Sequence, residues 1–198
     1  MCVQVERVAP LRPDWDHLFE TAQAQEGLFT RQQAIEARFS PQLLLHYVQI
    51  GRVARVRRGI YRLVHFPAGE HEELVTVWLW SECSGVVSHD TALALHQLSD
   101  GLPAEVHLTV PSDWRRRRLR VPQGVVLHHE DVPPSDRTWF GAVPATTPRR
   151  SLNDCAREHL SPGLLRQAAH QALRRGLATR DELGDVERAL LPFGGLPG

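Results

Sequence analysis

The sequence predicts an α+β protein: an N-terminal winged helix-turn-helix, then a mixed α+β domain with a small sheet and C-terminal helices. Three observations carry that prediction. Residues 27–49 hold two short helical patterns, each with its own cap. Residues 53–63 hold an arginine-loaded hairpin. Beyond residue 69, strand-like runs punctuated by proline and glycine precede three capped helical segments. Phe66-Pro67-Ala68-Gly69 breaks the pattern and separates the expected winged helix-turn-helix domain, 1–68, from the α+β domain, 69–198.

Asp14 to Ala24 reads as a leading helix, with Trp15, Leu18, Phe19 and Ala22 at helical spacing. Thr30 and Gln33 have capping-box spacing for a short helix from Arg31 to Ala37. Arg38 and Phe39 form the turn. Ser40 caps the next helix and Pro41 stands at its first position, where a missing N–H costs nothing. Leu44, Tyr47 and Val48 face inward, and Gly51 ends the helix. Gln42, His46 and Gln49 are left on the opposite face, the one a major groove would meet.

Val53 to Arg58, a turn at Arg58-Gly59, and Ile60 to Leu63 make two strands rich in β-branched and aromatic residues. Arg52, Arg55, Arg57, Arg58 and Arg62 decorate them. Between Gly27 and His65, seven arginines face one acid, Glu36, a local excess of +6. A solvated hairpin accounts for any two of these arginines. Five on one small ribbon repel one another unless an anion accepts them. Duplex DNA is therefore the expected partner. The expected contact set is Arg31, Ser40, Gln42, His46, Gln49, Arg52, Arg55, Arg57, Arg58 and Arg62.

Overall charge is zero over 198 residues, yet the charges are segregated. Seven acids and no arginine lie between Phe66 and Val110. All 23 positive residues are arginine, which excludes a P-loop lysine, a Schiff-base lysine and the lysine of the usual metal-dependent nuclease signature. Cys2, Cys83 and Cys155 have no metal-binding spacing and read as reduced thiols, in keeping with a cytoplasmic protein. The first 15 residues lack a secretory apolar stretch, and no run approaches the roughly 20 apolar residues of a membrane span.

In the second half, Glu70 to Ser81 reads as a helix, and Val86-Val87-Ser88 leads into another from Thr91 to Leu98, stopped by Ser99-Asp100-Gly101. Three strand-like runs follow: Glu105 to Val110, Gly124 to His129, and Thr138 to Val143. Thr147-Pro148 opens a helix to about His159, Ser161-Pro162 opens another to Arg175, and Thr179-x-x-Glu182 caps a last one to Leu191. The tail from Pro192 is expected to fray.

Three blocks now line up: GLFTRQQAIEARFSPQLLLHYVQIGRVARVRRGIYRLVHFP, SHDTALALHQLSDGLPAEVHLTVP and ATTPRRSLNDCARE. Together they resemble the AbiEi family of antitoxins from type IV toxin–antitoxin systems, over about Gly27 to Leu177. The resemblance implies a winged helix-turn-helix that represses its own operon at inverted repeats. It also implies a C-terminal domain that neutralises a nucleotidyltransferase-like toxin, usually without a stable complex. By position it places Gln42 and His46 on the recognition helix and Arg55, Arg57 and Arg58 on the wing. Leu45 departs from it, standing where many relatives carry a polar or basic residue, so phosphate affinity falls mainly to the wing. A palindromic operator requires two copies, and with no isolated dimerisation helix the protein is expected as a monomer or a dimer assembled on DNA.

Other constellations carry less. Arg115-Arg116-Arg117-Arg118 with Arg120 is either a second phosphate-contacting patch or a solvated loop. His128 and His129 are neighbours on a strand and point to opposite faces, and His89 and His96 lack an evident third ligand, so no metal is expected. Ser88 lacks a GxSxG context. No catalytic residue and no cofactor are expected. Trp78 sits at core spacing, whereas Trp114, beside the arginine run, is a candidate nucleic-acid contact. Two other readings stand beside the antitoxin: a stand-alone winged-helix regulator with no toxin partner, and a wing domain fused to a nuclease-like enzyme.

Overall fold

The computed structural model describes residues 12–99, 103–158 and 160–196. Cys2, the Asp100-Gly101 helix stop, His159 and the last two residues of the tail lie outside the described residues. The chain divides into two compact units, Met1–Glu72 and Glu73–Gly198. The α+β class expected from the sequence is found in both.

In the first unit, helix α1 (Trp15–Gln23) starts at Asp14, whose carboxylate accepts from the His17 N–H at 3.0 Å. A short strand β1 (Leu28–Thr30) leads into α2 (Arg31–Glu36) and α3 (Pro41–Gln49), then into the hairpin β2 (Val53–Arg57) and β3 (Ile60–Leu63). The sheet runs β1-β3-β2, fully antiparallel. Sequence pattern predicts only the hairpin. β1 has three residues, too few to show a period of two, and it is held as a strand by its pairing with β3.

Leu18, Phe29, Phe39, Leu44 and Val53 form the centre of this unit's core. Trp15 packs edge-on against both Phe39, at 4.8 Å between ring centroids, and Tyr47, at 4.7 Å. Such edge-to-face geometry places the positive edge of one ring on the negative face of another.

The second unit carries a five-stranded sheet in the order β6-β5-β4-β8-β7. Its elements are α4 (Glu72–Trp80), β4 (Val86–Val87), α5 (His89–Leu95), β5 (Val106–Val110), β6 (Val125–His129), β7 (Arg137–Phe140), β8 (Val143–Thr146), α6 (Pro148–Arg157), α7 (Pro162–Arg174) and α8 (Gly184–Leu190). β5 and β6 run parallel, with Leu108 opposite Leu127 and Thr109 opposite His128. Leu93, Leu152, Leu165, Leu183 and Leu190, all fully or nearly fully buried, join α5 to the three C-terminal helices.

Three expectations change here. Thr138 to Val143 is not one strand but a hairpin, because Gly141 takes a positive φ of 55° between β7 and β8. Two-residue β4 is likewise a full member of the sheet, paired with β5 on one side and β8 on the other. The tail also stays attached at least to Leu196, which is 6% exposed. The Arg166 guanidinium donates to the Gly195 carbonyl at 3.3 Å, and that of Arg180 donates to the Leu196 carbonyl at 3.2 Å.

Candidate nucleic-acid interface

The capping box expected at α2 is present. Thr30 Oγ1 accepts from the Gln33 N–H at 3.2 Å, and Gln33 Oε1 accepts from the Thr30 N–H at 2.8 Å. Arg38 makes the turn with a φ of 65°, and Phe39 drops into the core. Ser40 Oγ accepts from the Leu43 N–H at 3.2 Å, which fixes the start of α3. At the other end Gly51 has a φ of 75°. The Gly51 N–H donates to the Val48 carbonyl at 3.2 Å and the Arg52 N–H to the Tyr47 carbonyl at 3.0 Å, the paired bonds of a Schellman stop.

With Leu44 buried beneath it, α3 turns Gln42, Leu45, His46 and Gln49 to solvent. Leu45 is 58% exposed, an apolar side chain in the middle of that polar face. The wing is tied to the helix pair by its backbone, since the Arg31 N–H donates to the Gly59 carbonyl at 2.8 Å. This bond places the first residue of α2 beside the turn of the hairpin. A bulge between Arg55 and Arg57 inserts Val56 as an extra residue opposite the Ile60–Tyr61 step of β3.

The arginines divide into two kinds. Arg31, Arg52, Arg55 and Arg58 are exposed and Arg57 is partly so, and among the described residues none of the five pairs with a carboxylate. Arg62 differs. It is half-buried, its guanidinium donates to the Phe66 carbonyl at 3.0 Å, and its Nε lies 3.5 Å from Glu72 Oε2. Its charge is already taken up within the unit.

In the second unit, the run after Trp114 is also divided. Arg115 donates to the His129 carbonyl at 3.0 Å, and Arg117 reaches Glu82 at 3.4 Å while lying 4.0 Å over the Trp114 ring. Arg116, Arg118 and Arg120 are exposed and, among the described residues, without an ion pair. Trp114 itself is 4% exposed. It is a packing residue with one face covered by a cation, which removes it from the candidate nucleic-acid contacts. Trp139, at 63%, is the exposed indole instead.

These features of the first unit have a counterpart among known families. Residues 16–64 match the family described as transcriptional regulator, AbiEi antitoxin. The matched segment runs from α1 to the end of the wing, within the first unit. The crystal structure of the RV2827C protein from Mycobacterium tuberculosis is similar over 96% of this chain and 84% of that one, at 14% identity and a TM-score of 0.42. No curated protein matches the chain. Among the described residues, no helix is long and apolar enough to cross a membrane.

One convergence in the second unit escapes sequence reasoning. β5 and β6, side by side and parallel, bring His107 and His128 together, and the first residue of α5 adds His89. His107 carries no motif of its own. What could expose it is the equal phase of two adjacent strands, visible only once their register is known. Burial and the neighbouring imidazoles push the His89 pKa down to about 3, and burial also lowers that of His128, with Glu158 opposing. Close by, Asp154 is 2% exposed and holds two arginines: Arg150 at 2.8 Å and Arg157. Arg150 also reaches Glu130 at 2.6 Å.

Proposed function

We propose that the protein is a transcriptional autorepressor that binds duplex DNA at inverted repeats upstream of its own operon. In the same reading it acts as the antitoxin of a type IV module, countering a nucleotidyltransferase-like toxin without a stable complex. The observation that carries the DNA-binding half is the wing and its edge: five arginines with no internal counter-ion among the described residues, pinned to a doubly capped helix pair. Guanidiniums in such an array release phosphate counterions on binding, and that release supplies most non-specific affinity. Gln42, His46 and Gln49 are the side chains of α3 free to read base edges, since amide side chains pair bidentately with adenine.

In this reading residues 1–68 bind the operator and residues 69–198 carry the antitoxin activity. Arg62, spent on Glu72, and Ser40, spent on the α3 cap, support the interface rather than contact phosphate through a free charge. Arg116, Arg118 and Arg120 form the second basic patch of the proposal. The family match supports the regulator and the antitoxin label. The missing lysine argues against the nuclease alternative.

Two experiments test the proposal. Footprinting on the upstream region should show protection of an inverted repeat, abolished when residues 1–68 are removed. Co-expression with a nucleotidyltransferase encoded next to it should restore growth in a strain that the enzyme alone arrests. Footprinting without rescue would leave the stand-alone regulator as the correct reading.

A further inference from the structure

We propose that His89, His107 and His128 form a binding site for one divalent transition-metal ion of the zinc class, with His107 Nδ1, His128 Nε2 and His89 Nε2 as ligands and the adjoining cleft supplying the remaining coordination position.

One ring nitrogen from each histidine lies within 4.8 Å of the other two. The three side chains are 8%, 21% and 9% exposed for His89, His107 and His128. They come from three separate elements, α5, β5 and β6, so the cluster is a product of the fold rather than of a local run. His107 Nδ1 and His128 Nε2 stand 2.9 Å apart.

Each outer nitrogen faces an oxygen. His107 Nε2 lies 3.3 Å from Asp90 Oδ1, a buried oxygen with no hydrogen-bond partner. His128 Nδ1 lies 2.8 Å from Glu158 Oε1. His89 Nδ1 lies 2.9 Å from Ser88 Oγ, which also accepts from Thr109 Oγ1 at 2.8 Å. A carboxylate or hydroxyl behind each imidazole is the arrangement that fixes tautomer and raises ligand basicity in metal sites.

Proton counting shows what the centre demands. If His107 and His128 each give an N–H to their carboxylate, their inner nitrogens face each other as two lone pairs at 2.9 Å. That contact is repulsive unless a cation stands there. When one ring keeps its inner N–H the contact is an ordinary hydrogen bond, and a zinc ion with nitrogen ligands at about 2.0–2.1 Å takes the place of that proton after a small opening of the pair. His89 lies flat on His128, with 3.6 Å between centroids and 20° between planes. Stacked rings cannot both aim in-plane lone pairs at one ion, so His89 must swing off its neighbour as the ion enters. A cleft of about 400 Å³ lined by His89, His128, Glu158, Arg115 and Arg157 gives that ring room and gives the ion a path from solvent.

The test is a titration of the untagged full-length protein with Zn²⁺, and with Co²⁺ as a chromophoric probe. One equivalent of Zn²⁺ should bind, and Co²⁺ should give the visible bands of a low-coordinate imidazole complex. His107→Ala and His128→Ala, checked for folding by circular dichroism, should abolish the bands, while His129→Ala, the neighbouring strand position, should keep them. Asp90→Asn should weaken Zn²⁺ by about 10- to 100-fold. Absence of a stoichiometric equivalent, or equal binding by His107→Ala and His128→Ala, would overturn the site. Should either alanine variant not fold, unchanged Zn²⁺ affinity in Asp90→Asn would overturn it equally.

Discussion

Gln25 and Gln33 hold each other by both ends of their amides: Gln25 Nε2 donates to Gln33 Oε1 at 3.2 Å, and Gln33 Nε2 donates to Gln25 Oε1 at 2.9 Å. Gln25 also donates to the Leu28 carbonyl at 3.0 Å, and Gln33 Oε1 is the same atom that accepts from the Thr30 N–H. One side-chain pair thus links the end of α1, strand β1 and the cap of α2. Gln25 is 7% exposed, so its polar atoms have no water to fall back on.

Removing one partner should therefore cost more than breaking a surface hydrogen bond. Gln33→Ala and Gln25→Ala are each expected to destabilise the first unit by about 1–3 kcal/mol, because the first strips Gln25 Oε1 and the second Gln33 Nε2 of its partner away from bulk water. The double variant should lose less than the sum. Chemical denaturation followed by Trp15 fluorescence measures all three, and strictly additive losses would show the amides to be independent.

Two glycines separate backbone strain from steric clash. At Gly51, φ is 75° and nothing lies within 4 Å of an added Cβ, so Gly51→Ala should cost only the left-handed penalty of about 1–2 kcal/mol. At Gly27, φ is 85° and an added Cβ would sit 2.6 Å from the Phe66 ring. Gly27→Ala should be clearly the worse of the two in a thermal melt, and equal melting temperatures would contradict this.

Acid should weaken the second unit through His96. Its Nε2–H donates to the Thr146 carbonyl at 2.8 Å, and burial lowers its pKa, with Arg175 adding to the effect and the Thr146 bond opposing it. A histidine kept neutral in the fold takes up a proton on unfolding, so stability is present above its ordinary pKa of about 6.5 and is lost as pH falls below it. Asp154, whose pKa burial raises, acts in the opposite sense, but in the lower range where carboxylates titrate. His96→Gln, which keeps an N–H donor and cannot titrate, should flatten the decline between about pH 7 and 5. An unchanged slope would remove His96 as a cause.

The first unit was largely legible in its sequence because its signals are local. Thr30 with Gln33, Ser40 with Pro41, and Gly51 each act within a few residues, and each acts in the structure as spacing predicts. What local pattern could not show is where a long side chain ends. Arg62 alternates correctly along the wing yet reaches Glu72, ten positions on. Trp114 sits beside four arginines yet turns inward and takes one of them as a lid. The histidine cluster lies at the far end of the same scale. His89, His107 and His128 are separated by 18 and 21 positions, and the parallel register of β5 and β6 together with the placement of the start of α5 makes them neighbours.

The proposed interface stands or falls on the difference between free and spent arginines. The decisive measurement is the salt dependence of binding to the protein's own upstream DNA, comparing wild type, Arg55/Arg57/Arg58→Ala and Arg62→Ala. The triple variant should bind far more weakly, with its log–log salt slope reduced by up to about 0.9 for each phosphate no longer neutralised. Arg62→Ala should keep the wild-type slope, because its charge is committed to Glu72. Unchanged affinity and slope in the triple variant would contradict DNA binding through the wing.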